Sequence, residues 1–133
     1  MKILVVEDGE AERKAVVEYI ERCQKDGNYP QVFAAENGSV ASQILKANGD
    51  IDLVITDTAM PQKTGLELII EMKKDGHKAE VWLLVGYNNT DLYEKSAREL
   101  GFKILVKSSV FEEITKIGFT LLQVGEIKRA PFV

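Results

Sequence analysis

Short apolar runs alternate along this chain with stretches whose apolar residues recur at helical spacing. The runs are Ile3 to Val6, Val32 to Ala35, Leu53 to Thr56, Val81 to Val85 and Ile104 to Val106, all rich in Val, Ile and Leu. Continuous runs of this kind predict strands buried on both faces, not the in-out alternation of a half-solvated sheet. Between them, helices are predicted by four groups: Val16, Val17, Ile20 and Cys23; Val40, Ala41, Ile44 and Leu45; Leu66, Ile69, Ile70 and Lys73; Leu92, Ser96, Ala97 and Leu100. A fifth helix closes the pattern with Val110, Ile114, Ile117, Leu121 and Val124 on one face. Each interval between strand ends has room for one crossover helix and two short loops.

A five-fold β/α alternation calls for a parallel sheet with helices on both faces, and right-handed crossovers leave few topologies. The expected fold is α/β, a doubly wound, flavodoxin-like five-stranded parallel sheet in the order 2-1-3-4-5 with five helices. In that order strands 1 and 3 are neighbours, and the crevice at their carboxyl ends is the topological switch point where ligands bind. The domain is expected to span residues 1–124. Residues 125–133 read as a C-terminal tail or the start of a linker, where Pro131 forbids helix continuation.

The strand ends carry the chemistry. Glu7 and Asp8 follow the first run, Asp57 the third and Lys107 the fifth. One or two polar residues there would be unremarkable, since strands often end in polar groups and Asp commonly caps the next helix. Three carboxylates at one mouth repel each other without a counter-ion, which points to a bound hard cation such as Mg2+. Lys107 fits either a phosphoryl contact or a structural counter-charge to the acids. A carboxylate is a competent nucleophile toward phosphorus when a metal screens both partners.

Composition narrows the classes without changing the picture. With 133 residues, 45% of them hydrophobic, one core-forming domain is expected. The net charge of -4 comes from interspersed acids and bases, which disfavours direct nucleic-acid binding and anchoring to anionic lipid. No apolar run reaches membrane-spanning length and no signal peptide is evident, so a cytoplasmic location is expected. The single cysteine, Cys23, cannot form an internal disulfide and reads as packing.

The segments ILVVEDGEAER, LVITDTAMPQKTGLELI and ILVKSS resemble the three signatures of the response-regulator receiver domain of two-component signalling. Most specific is DTAMPQKTG, with Met60 and Pro61 after Asp57 and Gly65 further on. The resemblance covers residues 2 to about 124. It implies that Asp57 is the phosphoacceptor and that Glu7, Asp8, Asp57 and the backbone carbonyl of Ala59 hold Mg2+. It also implies that Lys107 contacts the phosphoryl group. A histidine kinase or phosphotransfer protein would be the donor, and a downstream protein or fused output domain the reader. The domain would then be a phosphoprotein and not an enzyme, apart from catalysing its own phosphoryl acceptance and loss. A dehalogenase-type hydrolase is rejected because Ala59 stands where that family needs an acid. A flavin site is rejected because residues 7–13 are acidic where a phosphate loop is needed.

Three departures from the family pattern bear on output. Val85 stands where the family usually has Thr or Ser to bond the phosphoryl oxygen, and Ile104 where it usually has a Tyr or Phe that changes rotamer. A hydrogen bond to a charged group is worth about 1.5 to 3 kcal/mol, against about 5.5 kcal/mol to drive a two-state switch from 1:99 to 99:1. Losing the hydroxyl therefore removes about a quarter to a half of the drive. Ser108 replaces the usual proline after the lysine, and a cis bond there would cost about 2.5 to 4 kcal/mol, so a trans bond is expected. A receiver-like interaction module, independent of phosphorylation, is accordingly the alternative reading. Near the site Met60 reads as core filling or loop shaping, and Tyr87 either as a cover over the mouth or as a loop aromatic. His77 reads as a solvated loop residue at the far end of the sheet, and Trp82 as packing.

Overall fold

The computed structural model describes residues 1–23 and 29–121. Its elements follow the expected alternation: β1 (Lys2–Val6), α1 (Glu10–Glu21), β2 (Gln31–Ala35), α2 (Gly38–Ala47), β3 (Leu53–Asp57) and α3 (Gly65–Lys74). Then come β4 (Glu80–Val85), α4 (Thr90–Leu100), β5 (Lys103–Val106), a 3-10 turn (Lys107–Ser109) and α5 (Val110–Leu121). The five strands are parallel in the order β2-β1-β3-β4-β5. Val124 and residues 125–133 lie outside the described part, as do the side chains of Ile117 and Leu121.

Strand side chains alternate between faces, so neighbouring residues of one run feed different cores. Ile3 and Val5, Leu53 and Ile55, and Trp82 and Leu84 pack with Val16 and Ile20 of α1 and with Val110 and Ile114 of α5. Leu4 and Val6, Val54, and Val81, Leu83 and Val85 pack with Ala41 and Leu45 of α2 and with Leu68, Ile69 and Met72 of α3. Both faces are dry, which is why the central strands β1, β3 and β4 read as unbroken apolar runs. Each fully buried Leu, Ile or Val contributes about 1.5 to 3 kcal/mol relative to exposure. The edge strands differ from expectation: β2 and β5 are only partly buried, because each has one strand neighbour.

Two helical faces are corrected by the structure. In α3 the inward stripe is Gly65, Leu68, Ile69 and Met72, while Ile70 is 48% exposed and Lys73 points to solvent. In α4 no residue is fully buried; Tyr93, Ala97 and Leu100 rest on the core, and Leu92 is 72% exposed. α3 offers apolar residues around much of the helix and α4 offers the adjacent Leu92 and Tyr93, so packing chooses the face. Cys23 and Trp82 are buried as packing residues, the latter with Lys103 Nζ 5.4 Å from its ring centroid.

Candidate functional site at the carboxyl end of the sheet

β1 delivers Glu7 and Asp8 just past its last residue, and β3 ends on Asp57. Because β1 and β3 pair with Val6 opposite Thr56, Glu7 and Asp57 emerge side by side. Glu7 is fixed further by its own N–H donating to the Ala35 carbonyl at 3.0 Å and by its carbonyl accepting from Arg13 Nη1 at 2.9 Å. The residue that caps α1 is Gly9, without a side-chain bond, so the Asp8 carboxylate is not spent on the helix. Glu7 and Asp57 are buried and Asp8 is exposed, and one carboxylate oxygen from each lies within 4.8 Å of the others.

Lys107 enters from the 3-10 turn after β5. Its Nζ donates to Glu7 Oε1 and to Asp57 Oδ2, each at 3.1 Å. Desolvation is the largest single influence on this ammonium and favours the neutral form. The bonds and charges of Asp57 and Glu7 together outweigh it, and the Lys107 pKa lies above its ordinary value of 10.5. The lysine is therefore a fixed cation at the acid cluster at neutral pH. The Lys107–Ser108 bond is trans, as expected, and the lysine still reaches both carboxylates.

The loop after Asp57 is held tightly. Thr58 N–H donates to Asp57 Oδ1 at 2.8 Å, and Gly65 N–H donates to the Thr58 carbonyl at 2.9 Å. Gly65 permits a close approach of α3 to the site: a Cβ there would lie 2.2 Å from the Asp57 carbonyl oxygen. Thr64 opens α3 with a capping box, its hydroxyl accepting from Glu67 N–H while Glu67 accepts from Thr64 N–H. Lys63 braces the loop against α2 and α3 through Ser42, at 2.9 Å, and Glu71. Its ammonium holds the Glu71 carboxyl below the ordinary range. Gln62 adopts φ 70°, left-handed backbone that a non-glycine residue rarely takes.

An acid cluster of this kind offers only oxygen ligands, the donor set a small hard divalent cation prefers, and the exposed Asp8 has freedom to close the spacing. The residues therefore fit such an ion. Residues 3–117 match the family model of the response regulator receiver domain. The chain belongs to the response regulator receiver family. Receiver domains bind Mg2+ at an acidic pocket, and this structure carries a cluster of Glu7, Asp8 and Asp57. A chemotaxis protein CheY homolog of Campylobacter jejuni is 35% identical, with 67% of this chain and 78% of that protein covered. Chemotaxis protein CheY1 of Helicobacter pylori is 33% identical over 64% of this chain and 65% of its own length. The chain spans just under two thirds of that relative, and only 30% of a cyclic di-GMP phosphodiesterase of Thermotoga maritima that is 25% identical. Among solved structures, a response regulator receiver domain protein from Clostridium thermocellum superposes with a TM-score of 0.70 at 25% identity, over 96% of this chain and 94% of that one. Chemotaxis protein CheY4 of Vibrio cholerae superposes with a TM-score of 0.72 at 22% identity, over 91% and 98%.

The remaining expected positions separate by burial. Val85 is 1% exposed and shares an apolar cluster with Met60, against which Ile104 packs. The two positions expected to carry a switch thus adjoin one apolar cluster. Met60 fills core, and Ala59 stands exposed in the loop. Tyr87 is 84% exposed in the loop after β4. His77 is at the opposite end of the sheet, as expected, but half-buried, its Nδ1 accepting from Ala79 N–H at 3.3 Å. Sequence reasoning missed Thr58 and Lys63, whose bonds to Leu84 and Ser42 cross to elements distant in the chain. Among the described residues, no helix is long and apolar enough to cross a membrane.

Proposed function

We propose that this domain accepts a phosphoryl group on Asp57 and signals by presenting an altered surface to a protein partner. The observation that carries this reading is the quartet geometry: Lys107 Nζ lies 3.1 Å from both Glu7 and Asp57, with Asp8 completing an oxygen cluster. In the reaction a carboxylate oxygen of Asp57 forms the new O–P bond while the P–N bond of a phosphohistidine donor breaks, and the imidazole leaves with the electron pair. Mg2+, held by Glu7, Asp8, Asp57 and the Ala59 carbonyl, would supply charge neutralisation on the phosphoryl oxygens. Lys107 contributes a second fixed positive charge, and Thr58 N–H orients the Asp57 carboxylate. Little covalent work is left to the protein, because in-line positioning and neutralisation suffice.

The donor is a histidine kinase or phosphotransfer protein, acting in the cytoplasm, and the reader is a downstream protein or a fused output domain. Nucleic acid is not contacted by this domain. The second reading, a receiver-like module that binds partners without phosphorylation, is favoured by one observation: Val85 is buried and has no hydroxyl to offer a phosphoryl oxygen. Acetyl phosphate with Mg2+, followed by intact mass, tests the first reading. Wild type should gain the mass of one phosphoryl group and Asp57→Asn none. Failure of wild type to gain it sinks phosphoryl acceptance and leaves the interaction module.

A further inference from the structure

With no hydroxyl at Val85, a phosphoryl group on Asp57 needs another route to the end of β4. Thr58 spans that gap with two hydrogen bonds. Its N–H donates to Asp57 Oδ1 at 2.8 Å, and its Oγ1 donates to the carbonyl of Leu84. Leu84 is the residue paired with Asp57 across the β3–β4 ladder, and Val85 and the loop into α4 follow it directly. Among the described residues, no other side-chain hydrogen bond joins the 58–64 loop to β4; Lys63 and Thr64 turn to α2 and α3 instead.

We propose that Thr58 is a positioning residue that couples the charge on Asp57 to the carboxyl end of β4, in place of the missing hydroxyl at Val85. The inference rests on Asp57 being the phosphoacceptor. While Asp57 is a free carboxylate, the Thr58 N–H bond is charge-assisted. When the O–P bond forms, the remaining carboxyl oxygen becomes a neutral carbonyl and the negative charge moves out onto the phosphoryl oxygens. A bond to a neutral acceptor is about half as strong as one to an ion. Thr58 then follows the charge, and its hydroxyl carries the displacement to the Leu84 carbonyl. Gly86 to Asn89, which link β4 to α4, are the segment that reports it. A Cβ on their first residue, Gly86, would meet Asn89 Nδ2 at 3.4 Å, and Asn89 N–H is bonded back to the Gly86 carbonyl at 3.0 Å, so the loop is closed as one short turn.

The test uses amide chemical shifts of the isotope-labelled domain, titrated with beryllofluoride and Mg2+. Wild type and Thr58→Ser should show shifts at residues 85–89 as well as around the acid cluster. Thr58→Val keeps the N–H and the side-chain shape but deletes the hydroxyl. At saturating mimic its shifts at 85–89 should fall by roughly twofold to tenfold, the weight of one net hydrogen bond, while those at the cluster persist. Thr58→Ala repeats the deletion if the valine variant does not fold. Undiminished shifts at 85–89 in either deletion variant overturn the coupling and leave phosphoryl acceptance standing. A wild type that loads the mimic but shows no shift beyond the cluster overturns it equally. A wild type that takes neither mimic nor acetyl phosphate overturns the acceptor reading itself, and the coupling with it.

Discussion

Gly65→Ala is the sharpest probe of how α3 is seated on the site. The added Cβ would lie 2.2 Å from the Asp57 carbonyl oxygen and 2.8 Å from Leu83 Cδ1. Leu83 can turn its methyl away, but the Asp57 carbonyl belongs to the central strand and has no such freedom. A carbon rests against a carbonyl oxygen at about 3.3 Å, so α3 or the end of β3 must retreat by about 1 Å. Overpacking of this size costs about 1 to 3 kcal/mol. At about 4 °C per kcal/mol for a domain of this length, the melting temperature should fall by about 4 to 12 °C. Because the strain falls on Asp57, the proposed nucleophile, acetyl phosphate labelling should also slow, by about tenfold to a hundredfold for a displacement near 1 Å. Gly49→Ala is the matched control: a Cβ there meets nothing within 4 Å, and the change should be neutral or stabilising by up to about 1 kcal/mol. Differential scanning calorimetry and time-resolved intact mass on both variants decide the matter. If Gly65→Ala melts and labels like Gly49→Ala, the close approach of α3 to Asp57 is wrong.

Lys107→Met leaves buried Glu7 and Asp57 without their cation, and without Mg2+ it should destabilise by about 1 to 2 kcal/mol after allowance for the lysine's partial exposure. Mg2+ should recover most of that loss, which urea midpoints with and without the metal will read. Since the folded-state pKa of Lys107 is raised, its contribution should be fully present below pH 10.5 and fade as pH rises beyond that; a wild type minus variant difference that already vanishes at pH 9 would contradict this. Val85→Thr places a hydroxyl at a site only 1% exposed, so the unloaded domain should lose about 1 to 3 kcal/mol while beryllofluoride binds at least about tenfold tighter. Weaker binding of the mimic would show that the position does not face the phosphoryl group. Gln62→Gly removes left-handed strain of about 1 to 2 kcal/mol against an entropic cost of about 0.5 to 1 kcal/mol, so the melting temperature should rise; a fall would refute the strain.

The elements and their order were legible because strands buried on both faces leave a pattern that little else produces. Ile3 to Val6 and Leu53 to Thr56 are too short for helices and too apolar for a surface. The placement of Glu7, Asp8, Asp57 and Lys107 was legible for the same reason, since residues at the carboxyl ends of parallel strands share one edge whatever their distance in sequence. The inward face of α3 was not. Leu66, Leu68, Ile69, Ile70 and Met72 leave no single apolar stripe, so periodicity cannot choose between Ile70 and Met72. In α4 the adjacent Leu92 and Tyr93 present the same ambiguity, and the sheet takes the ring and leaves the leucine in solvent.

What the sequence determined by itself was the alternation, the parallel sheet and the convergence of three carboxylates and a lysine, because these follow from local pattern and chain direction. Only the tertiary structure decided how that quartet is held. Lys107 bridging Glu7 and Asp57 and the Thr58 hydroxyl on Leu84 each join residues far apart in sequence. Such contacts are fixed by packing in three dimensions, where one ångström decides between a hydrogen bond and a clash, and local pattern along the chain carries no record of them.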